Sequence, residues 1–323
     1  MMNVGVLGSG FIAGVFTDGV KKSYKDVKLY AMWGIVKEDV LKFTDYEKHY
    51  FDIDEFMNDP KIDVVYIGLP NSVHYEYAMK ALKAGKHVLC EKPFCTTYKE
   101  AKSLIDYAKK HKLFLYETMM TKHAPNFQKI KNAIKDLGDI KIVECNFTQY
   151  SRRYDKFKNG ITLPAFDYKL AGGALMDLGV YNVHFIVDLF GSPKSVHYYP
   201  NIEKNIDTAG VLVLDYGKFK AISTAAKNCA AESFALIQGD KGHIRLNSTT
   251  SRVSSYSIIM NDGKRKDFAD KDQSEFAGWK TLYDDFRKIY NKKDYETCYK
   301  YLEDTLRVAK VLEDARKSAK MKF

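Results

Sequence analysis

The chain has 323 residues, of which 46% are hydrophobic and 28% are charged, a size and composition typical of a soluble globular protein with two domains. Its net charge of +10 arises from 51 Lys and Arg against 41 Asp and Glu, and the basic residues are interleaved with acidic ones. Nucleic-acid binding needs clustered positive charge and is not expected, nor is a membrane span, because no apolar stretch reaches ~20 residues.

The cysteines are odd in number and scattered along the chain: Cys90, Cys95, Cys145, Cys229 and Cys298. They match neither a disulfide framework nor the spacing of a zinc site. We therefore expect reduced thiols, no bound metal and a cytoplasmic protein. The lysine-rich surface can still attract an anionic cofactor.

The first part of the chain alternates short apolar runs with helical patterns. Strands are predicted at Asn3–Leu7, Val27–Trp33, Val64–Gly68, His87–Cys90 and Leu113–Tyr116. Between them, Tyr75–Ala84 has a helical pattern that Gly85 ends, and Thr97 with Glu100 forms a capping box that starts another helix. This alternation predicts a doubly wound α/β domain, in which helices cover both faces of a parallel sheet.

The pattern changes near residue 121, so we predict one domain over residues 1–121 and a second domain over residues 122–323. In the second domain Val143, Cys145 and Phe147 alternate with polar residues, as in a half-buried strand. A helix is predicted over 173–190, and two more after Phe276. Further strands, in a mostly antiparallel sheet, are predicted at Ser195–Tyr199, Gly210–Asp215, Phe219–Thr224, Phe234–Gln238 and Val253–Met260.

A glycine turn follows the first predicted strand and opens a helical pattern. Gly8 permits the tight turn, Gly10 lets the backbone approach a pyrophosphate, and Ala13 lets helix and strand pack closely. The amides at the start of that helix favour phosphates. We therefore predict a dinucleotide site that includes Gly8, Gly10, Phe11 and Ile12.

The residues after the second predicted strand decide between NAD and NADP. An acidic residue there would hold a ribose 2′-hydroxyl, and an arginine would accept a 2′-phosphate. The sequence 33–37 has neither, and Lys37 is the nearest charge. Both cofactors remain open, and Lys37 slightly favours NADP.

The third and fourth predicted strands end in polar segments. In an open parallel sheet, ligands lie beyond the carboxyl ends of the strands, so these residues are expected to face the cofactor. Pro93 also restricts the backbone of the preceding lysine. The cofactor-binding residues predicted here are Leu69, Pro70, Asn71, His74, Glu91 and Lys92.

Taken together, these motifs resemble the glucose–fructose oxidoreductase / inositol dehydrogenase / rhizopine-catabolism oxidoreductases. The resemblance covers nearly the whole chain and rests on Gly8–Gly10, Pro70–Asn71 with His74, Ala84–Pro93, Glu117 and Gly172–Tyr181. It implies a Rossmann domain and a C-terminal α/β domain with an open, mainly antiparallel sheet. It also implies hydride transfer between NAD(P) and a hydroxyl or carbonyl carbon of a sugar, polyol or trans-diol, in homodimers or homotetramers that pair through that sheet.

Three polar residues follow Gly172 and Gly173 at helical spacing. Asp177, Tyr181 and His184 lie at i, i+4 and i+7, and on a helix they would share one face. Resemblance to the dihydrodiol dehydrogenase branch of the family implies that Tyr181 is the acid/base group. His184 is expected to contact the substrate or to serve as the proton group instead.

Lys92 is expected to assist Tyr181. An ammonium beside a phenol favours the phenolate, so Lys92 would lower the pKa of Tyr181 and hydrogen-bond the reacting oxygen. Asp177 would orient Lys92 or the substrate. The predicted catalytic residues are therefore Lys92, Asp177 and Tyr181, and these three line the substrate site together with His184.

A protein that senses the dinucleotide without turning it over is the alternative function. Fold alone does not separate a regulator from an enzyme. Because Lys92, Asp177 and Tyr181 are all present, the sequence favours an enzyme.

Overall fold

The computed structural model describes residues 1–272 and 277–321. The chain divides into two compact units. The first comprises Met1–Thr118 and Tyr283–Glu303, and the second comprises Met119–Leu282 and Asp304–Phe323. The sequence placed the domain boundary after residue 121 and did not predict that a late segment returns to the first unit. The last two residues of the predicted second domain, 322 and 323, lie outside the described residues.

The first unit is built on a parallel sheet. Its strands, in chain order, are β1 (Met2–Leu7), β2 (Val27–Trp33), β3 (Lys48–Tyr50), β4 (Val64–Ile67), β5 (His87–Cys90) and β6 (Leu115–Glu117). They lie in the order β3-β2-β1-β4-β5-β6, with parallel pairing throughout the described residues. This is the strand order of the doubly wound dinucleotide-binding fold, and it confirms the predicted fold class.

The helices that connect these strands bury one apolar stripe each. They are α1 (Phe11–Ser23), α2 (Lys37–Val40), α3 (Ile53–Asn58), α4 (His74–Lys83) and α5 (Tyr98–His111). The capping box at Thr97 and Glu100 is confirmed, because each side chain bonds the other's backbone amide. Behind it α5 buries Ala101, Leu104 and Ala108 at helical spacing.

The second unit contains an eight-stranded sheet within the described ranges. Its strands are β7 (Ile140–Thr148), β8 (Ser195–Glu203), β9 (Ile206–Asp215), β10 (Lys220–Ala226), β11 (Phe234–Gly239), β12 (Gly242–Leu246), β13 (Ser255–Met260) and β14 (Arg265–Ala269). The order is β14-β13-β12-β11-β7-β10-β9-β8. Only β7 and β10 pair in parallel among the neighbours described, so the predicted mainly antiparallel sheet is confirmed.

The remaining helices are α6 (Pro125–Ala133), α7 (Tyr154–Lys158), α8 (Val180–Phe190), α9 (Ala277–Lys292) and α10 (Tyr295–Ser318). The helix predicted over 173–190 is present, but its first part, Leu175–Gly179, is a π-helix that runs directly into α8. Among the described residues, the stretch Tyr168–Phe190 alone is long enough and apolar enough, by length and composition, to cross a membrane. Because 83% of its most apolar window is buried inside the protein, it has the character of a core helix.

Candidate functional site

The glycine turn between β1 and α1 has the geometry that a pyrophosphate site needs. Gly8 has φ +106°, and a Cβ atom there would lie 2.6 Å from the carbonyl oxygen of Gly68. Gly10 precedes α1 and has no side chain to cap the amides of the first turn. Apart from its chain neighbours and the backbone of α1, no atom of the described residues lies within 4 Å of the position that a Cβ of Gly10 would take, and Phe11 is 77% exposed. The turn is therefore open for a dinucleotide phosphate, as the sequence predicts.

The two glycines should respond differently to alanine. Gly8→Ala forces an unfavourable φ and a clash, and we expect it to lower the free energy of unfolding by about 1–3 kcal/mol. Gly10→Ala has an ordinary φ of −87° and open space, so its stability should match the wild type. Its new methyl group would occupy the phosphate approach, and we expect the cofactor Kd to rise about tenfold or more. Thermal unfolding and cofactor titration check both results; wild-type affinity in Gly10→Ala contradicts the assignment.

His74 connects the segments that follow β4 and β5. Its Nδ1 lies 2.9 Å from the carbonyl oxygen of Pro93, and its Nε2 lies 2.9 Å from that of Leu69. The ring is fully buried, and burial lowers its pKa. The imidazole therefore sets the spacing of the two segments. This positioning role is observed, and the contact of His74 with the cofactor stays a prediction.

Glu91 anchors the segment that presents Lys92. Its carboxylate is buried and accepts hydrogen bonds from the Tyr66 hydroxyl at 2.7 Å and the Thr118 hydroxyl at 2.6 Å. Burial raises the pKa of Glu91 although these hydrogen bonds oppose it. Glu91 thus ties β5 to β4 and to the end of β6, and we assign it to positioning as well.

Lys92 follows the end of β5 and is half-buried. The peptide bond between Lys92 and Pro93 is cis. Beyond it, the amide of Phe94 donates to Oε1 of Glu117 at 3.2 Å. The lysine thus stands at the carboxyl edge of the parallel sheet, where a ligand of this fold binds.

In the second unit, Gly173 and Asp207 set the start of the π-helix. Oδ2 of Asp207 accepts from the amide of Leu175 at 2.8 Å and from the hydroxyl of Tyr198 at 2.7 Å. Gly173 has φ +105°, and a Cβ atom there would collide with Oδ1 of Asp207. Burial raises the pKa of Asp207 to about 6. The second glycine of the Gly172–Gly173 pair is therefore needed to seat this carboxylate.

Asp177 lies on the π-helix and forms an ion pair that the sequence did not reveal. Its Oδ2 lies 2.7 Å from Nζ of Lys227, which follows β10. The side chain of Asp177 is 31% exposed, whereas that of Lys227 is 2% exposed. The sequence predicts that Asp177 orients Lys92 or the substrate. Lys227 is an additional partner of Asp177 that the sequence did not predict. One feature of the sequence could have indicated Lys227: it directly follows the apolar end of a strand, as Lys92 does near the end of β5.

Tyr181 and His184 both lie on α8 but in different surroundings. Tyr181 is 8% exposed, and its ring centroid lies 5.8 Å from that of Phe147 on β7. His184 is 0% exposed, and its Nδ1 lies 3.5 Å from Oδ2 of Asp188 one turn later. The imidazole is fully enclosed, so the predicted contact of His184 with a substrate requires a rearrangement of the helix.

No group of three or more His, Cys, Asp or Glu side chains could hold a metal ion within residues 1–272 and 277–321. The first unit offers the ammonium of Lys92, and the second unit offers the carboxylate of Asp177 and the phenol of Tyr181. These groups suit proton transfer and stabilisation of an oxyanion.

Comparison with known proteins identifies the family of the chain. Residues 2–118 match the oxidoreductase family with the NAD-binding Rossmann fold, and residues 131–322 match the C-terminal alpha/beta domain of the same family. The chain is 32% identical over 324 residues to the scyllo-inositol 2-dehydrogenase (NADP(+)) IolU of Bacillus subtilis, with 98% of this chain and 97% of the relative covered.

Two further similarities extend this result. The trans-1,2-dihydrobenzene-1,2-diol dehydrogenase of Xenopus tropicalis is 32% identical over 225 residues, which cover 68% of this chain and 65% of the relative. The fold is shared with the 3-ketoreductase KijD10 of Actinomadura kijaniata, whose crystal structure contains NADP and TDP-benzene; the TM-score is 0.84 at 21% identity, with 98% and 97% of the two chains covered. The chain therefore belongs to the glucose–fructose oxidoreductase / inositol dehydrogenase / rhizopine-catabolism family and is an NAD(P)-dependent oxidoreductase.

Proposed function

We propose that this enzyme transfers a hydride between NADP and a CH–OH or carbonyl carbon of a polyol, a sugar or a trans-diol. The observation that carries the proposal is the open glycine turn at the carboxyl edge of the same parallel sheet that presents Lys92. IolU, which matches the chain from end to end, acts on a cyclic polyol and uses NADP. When bound, the nicotinamide supplies the carbon that accepts or donates the hydride.

The catalytic roles within this proposal follow from the chemistry of the side chains. Tyr181 takes the proton from the substrate hydroxyl during oxidation and returns it during reduction. Lys92 donates a hydrogen bond to the reacting oxygen and favours the phenolate form of Tyr181. Asp177 binds a substrate hydroxyl, which its partly exposed carboxylate can reach. The substrate panel below tests the reaction, and single substitutions test the roles.

The most informative experiment is a substrate panel followed through the absorbance of the reduced nicotinamide. Aldoses, linear polyols, inositols and trans-diols would each be offered with NADP and with NAD. Turnover with a cyclic polyol, at a higher kcat/KM than with linear polyols, supports the proposal. Binding of the cofactor without turnover of any compound favours the alternative, a dinucleotide-sensing regulator.

Lys37 supports the assignment of NADP. It is exposed in the segment that follows β2, and its Nζ lies 5.1 Å from the ring centroid of Phe51. We expect Lys37→Ala to raise KM for NADP about three- to tenfold while KM for NAD stays unchanged. The effect on NADP is small because solvent screens an exposed ion pair between a lysine and the 2′-phosphate. Lys42→Ala is the control, because Lys42 is exposed nearby and already paired with Asp39. An equal change in both cofactors, or no change, contradicts a role in binding the 2′-phosphate.

The proposal includes assembly into a homodimer or homotetramer through the second unit. Tyr199, Val211 and Ile142 are exposed apolar residues, and their register places them on one face of the eight-stranded sheet. Exposed apolar sheet surface of this kind favours pairing with a second copy. Light scattering coupled to size-exclusion chromatography tests the assembly, and a monomer at micromolar concentration contradicts it.

The cytoplasm is the proposed location. It is supported by the five free cysteines, four of which are buried. Thiols of this kind are typical of proteins in a reducing compartment. Fractionation of the source cells tests this assignment, and recovery of the enzyme outside the cytoplasm contradicts it.

A further inference from the structure

Lys227 is buried, with 2% of its surface exposed. Lysine is rarely buried in proteins unless it has a partner. The ammonium group of Lys227 has contacts with a carboxylate, a carbonyl oxygen and an aromatic ring of the second unit. Nζ lies 2.7 Å from Oδ2 of Asp177 and donates to the carbonyl oxygen of Ala165 at 2.7 Å. It also lies 4.5 Å from the ring centroid of Phe166. The cation is thus compensated by a carboxylate, a carbonyl group and an aromatic face.

The backbone of Lys227 is fixed as firmly as its side chain. Its amide donates to the carbonyl oxygen of Thr208, and its carbonyl group accepts from the amide of Ser151 at 2.9 Å. Because hydrogen bonds hold the backbone of Lys227 and its ammonium group has several partners, the orientation of the side chain is restricted. The orientation of the carboxylate that it binds is restricted too.

The two members of this ion pair differ in access to solvent, and this difference indicates how the pair works. Lys227 is enclosed and cannot meet a substrate, whereas about a third of the Asp177 side chain is exposed. Lys227 can therefore act on the reaction only through a neighbour, and Asp177 is its charged neighbour with access to solvent. A cation at 2.7 Å also favours the ionised carboxylate.

The element that carries Asp177 needs such an anchor. The π-helix has a wider turn than an α-helix, and such segments occur often at functional sites. Asp207 on β9 fixes its first amide, that of Leu175, and Lys227 beyond β10 fixes its exposed carboxylate. Two buried charged side chains, one on β9 and one just after β10, thus hold this short segment at its first residue and at its middle residue.

We propose that Lys227 is a positioning residue of this enzyme, which keeps Asp177 ionised and directs its carboxylate toward the substrate. This inference rests on the proposed function, in which Asp177 binds a substrate hydroxyl. Lys227 itself takes no part in proton or hydride transfer. Its removal should therefore affect substrate turnover and the pH profile while leaving cofactor binding intact.

A double-mutant cycle tests the inference. Asp177→Asn should lower kcat/KM for the substrate about 10²-fold, and Lys227→Met should lower it about tenfold or more. The double variant should be no less active than Asp177→Asn, because Lys227 then has nothing left to position. The inference is overturned if the loss of kcat/KM in the double variant equals the product of the losses in the two single variants. Cofactor Kd, measured by titration, should stay within about twofold of the wild type in all three.

The pH profile separates positioning from a merely structural role. In Lys227→Met the carboxylate of Asp177 loses its cation, so the acidic limb of kcat/KM for reduction, in which Tyr181 is already protonated, should move to higher pH by about one unit. An unmoved acidic limb in a folded Lys227→Met overturns the inference. Lys227→Arg keeps the charge, and its acidic limb should stay near the wild-type position.

The same set of variants separates this inference from the function on which it rests. If Asp177→Asn is impaired and the Lys227 effect multiplies with it, the inference fails and the proposed role of Asp177 stands. If Asp177→Asn is as active as the wild type, the proposed role of Asp177 fails, and the inference fails with it. Should Lys227→Met alone not fold, the double variant still gives the decisive comparison with Asp177→Asn. Replacing both members of a buried pair is tolerated better than removing one.

Discussion

Lys92→Ala should lower kcat about 10³-fold or more in both directions of the reaction, a far larger effect than the loss of its one predicted contact has on cofactor Kd. The reason is the pair of tasks proposed for Lys92. Loss of one donor to a developing oxyanion typically costs 10²–10³-fold, and loss of the ammonium also disfavours the phenolate of Tyr181. Cofactor affinity should persist because the glycine turn at Gly8 and Gly10 is untouched. Steady-state kinetics and a cofactor titration measure the two effects separately.

Two further substitutions sharpen this test. Lys92→Arg keeps a positive charge but replaces a compact ammonium with a broad planar group, so we expect it to recover only part of the lost activity. Lys102→Ala is the matched control, because Lys102 is an exposed lysine of the same unit, paired with Asp106. A wild-type kcat in Lys92→Ala would show that the lysine is structural. Equal losses in Lys92→Ala and Lys102→Ala would point to a general effect of charge.

The parallel sheet could be predicted because its central strands are short runs of apolar residues between clear breaks. The bounds predicted for Val27–Trp33 and His87–Cys90 match the observed strands. The strands that sequence analysis missed include β3 and β14 at the sheet edges and β12 inside the second sheet. Edge strands are short and polar, as in Lys48–Tyr50 and Arg265–Ala269, so they have no apolar alternation to detect.

The sequence predicted the site residues that belong to a backbone motif. It did not predict the contacts that depend on packing between distant parts of the chain. Gly8, Gly10 and Lys92 follow strands directly, so their placement at the carboxyl edge follows from the fold. Lys227 lies fifty positions after Asp177 in the numbering, and only the tertiary structure brings the two together. Burial of a lysine also runs against its usual preference, which gives sequence analysis no reason to expect it.

The prediction that His184 faces the substrate rests on helical spacing alone, and it stays a prediction. The spacing i, i+4, i+7 assigns residues to one face of a regular helix, but α8 is buried on all sides from Val180 to Asp188. A helix that is buried on all sides has no polar face from which the side toward a ligand could be predicted. The π-helix before it also breaks the regular angle between Asp177 and the residues of α8.

Tyr181→Phe should retain the fold and lose about 10²- to 10³-fold in kcat. The substitution keeps the ring that packs against Phe147 and removes only the hydroxyl, so thermal stability should change little. General acid–base catalysis by one side chain typically contributes 10²–10⁴-fold, which sets the expected loss. Tyr199→Phe is the control, since Tyr199 is an exposed tyrosine of the same unit.

The pH dependence of the same variant identifies the proton group. If the phenolate of Tyr181 is the base, oxidation by the wild type rises with pH through its pKa, and reduction falls, because reduction needs the protonated phenol. Tyr181→Phe should lose both trends. If it keeps them and His184→Gln loses them, His184 is the proton group, and α8 must open during turnover. If both variants fold and keep full activity, the acid–base assignment to α8 is wrong, and water or the ammonium of Lys92 becomes the group to test.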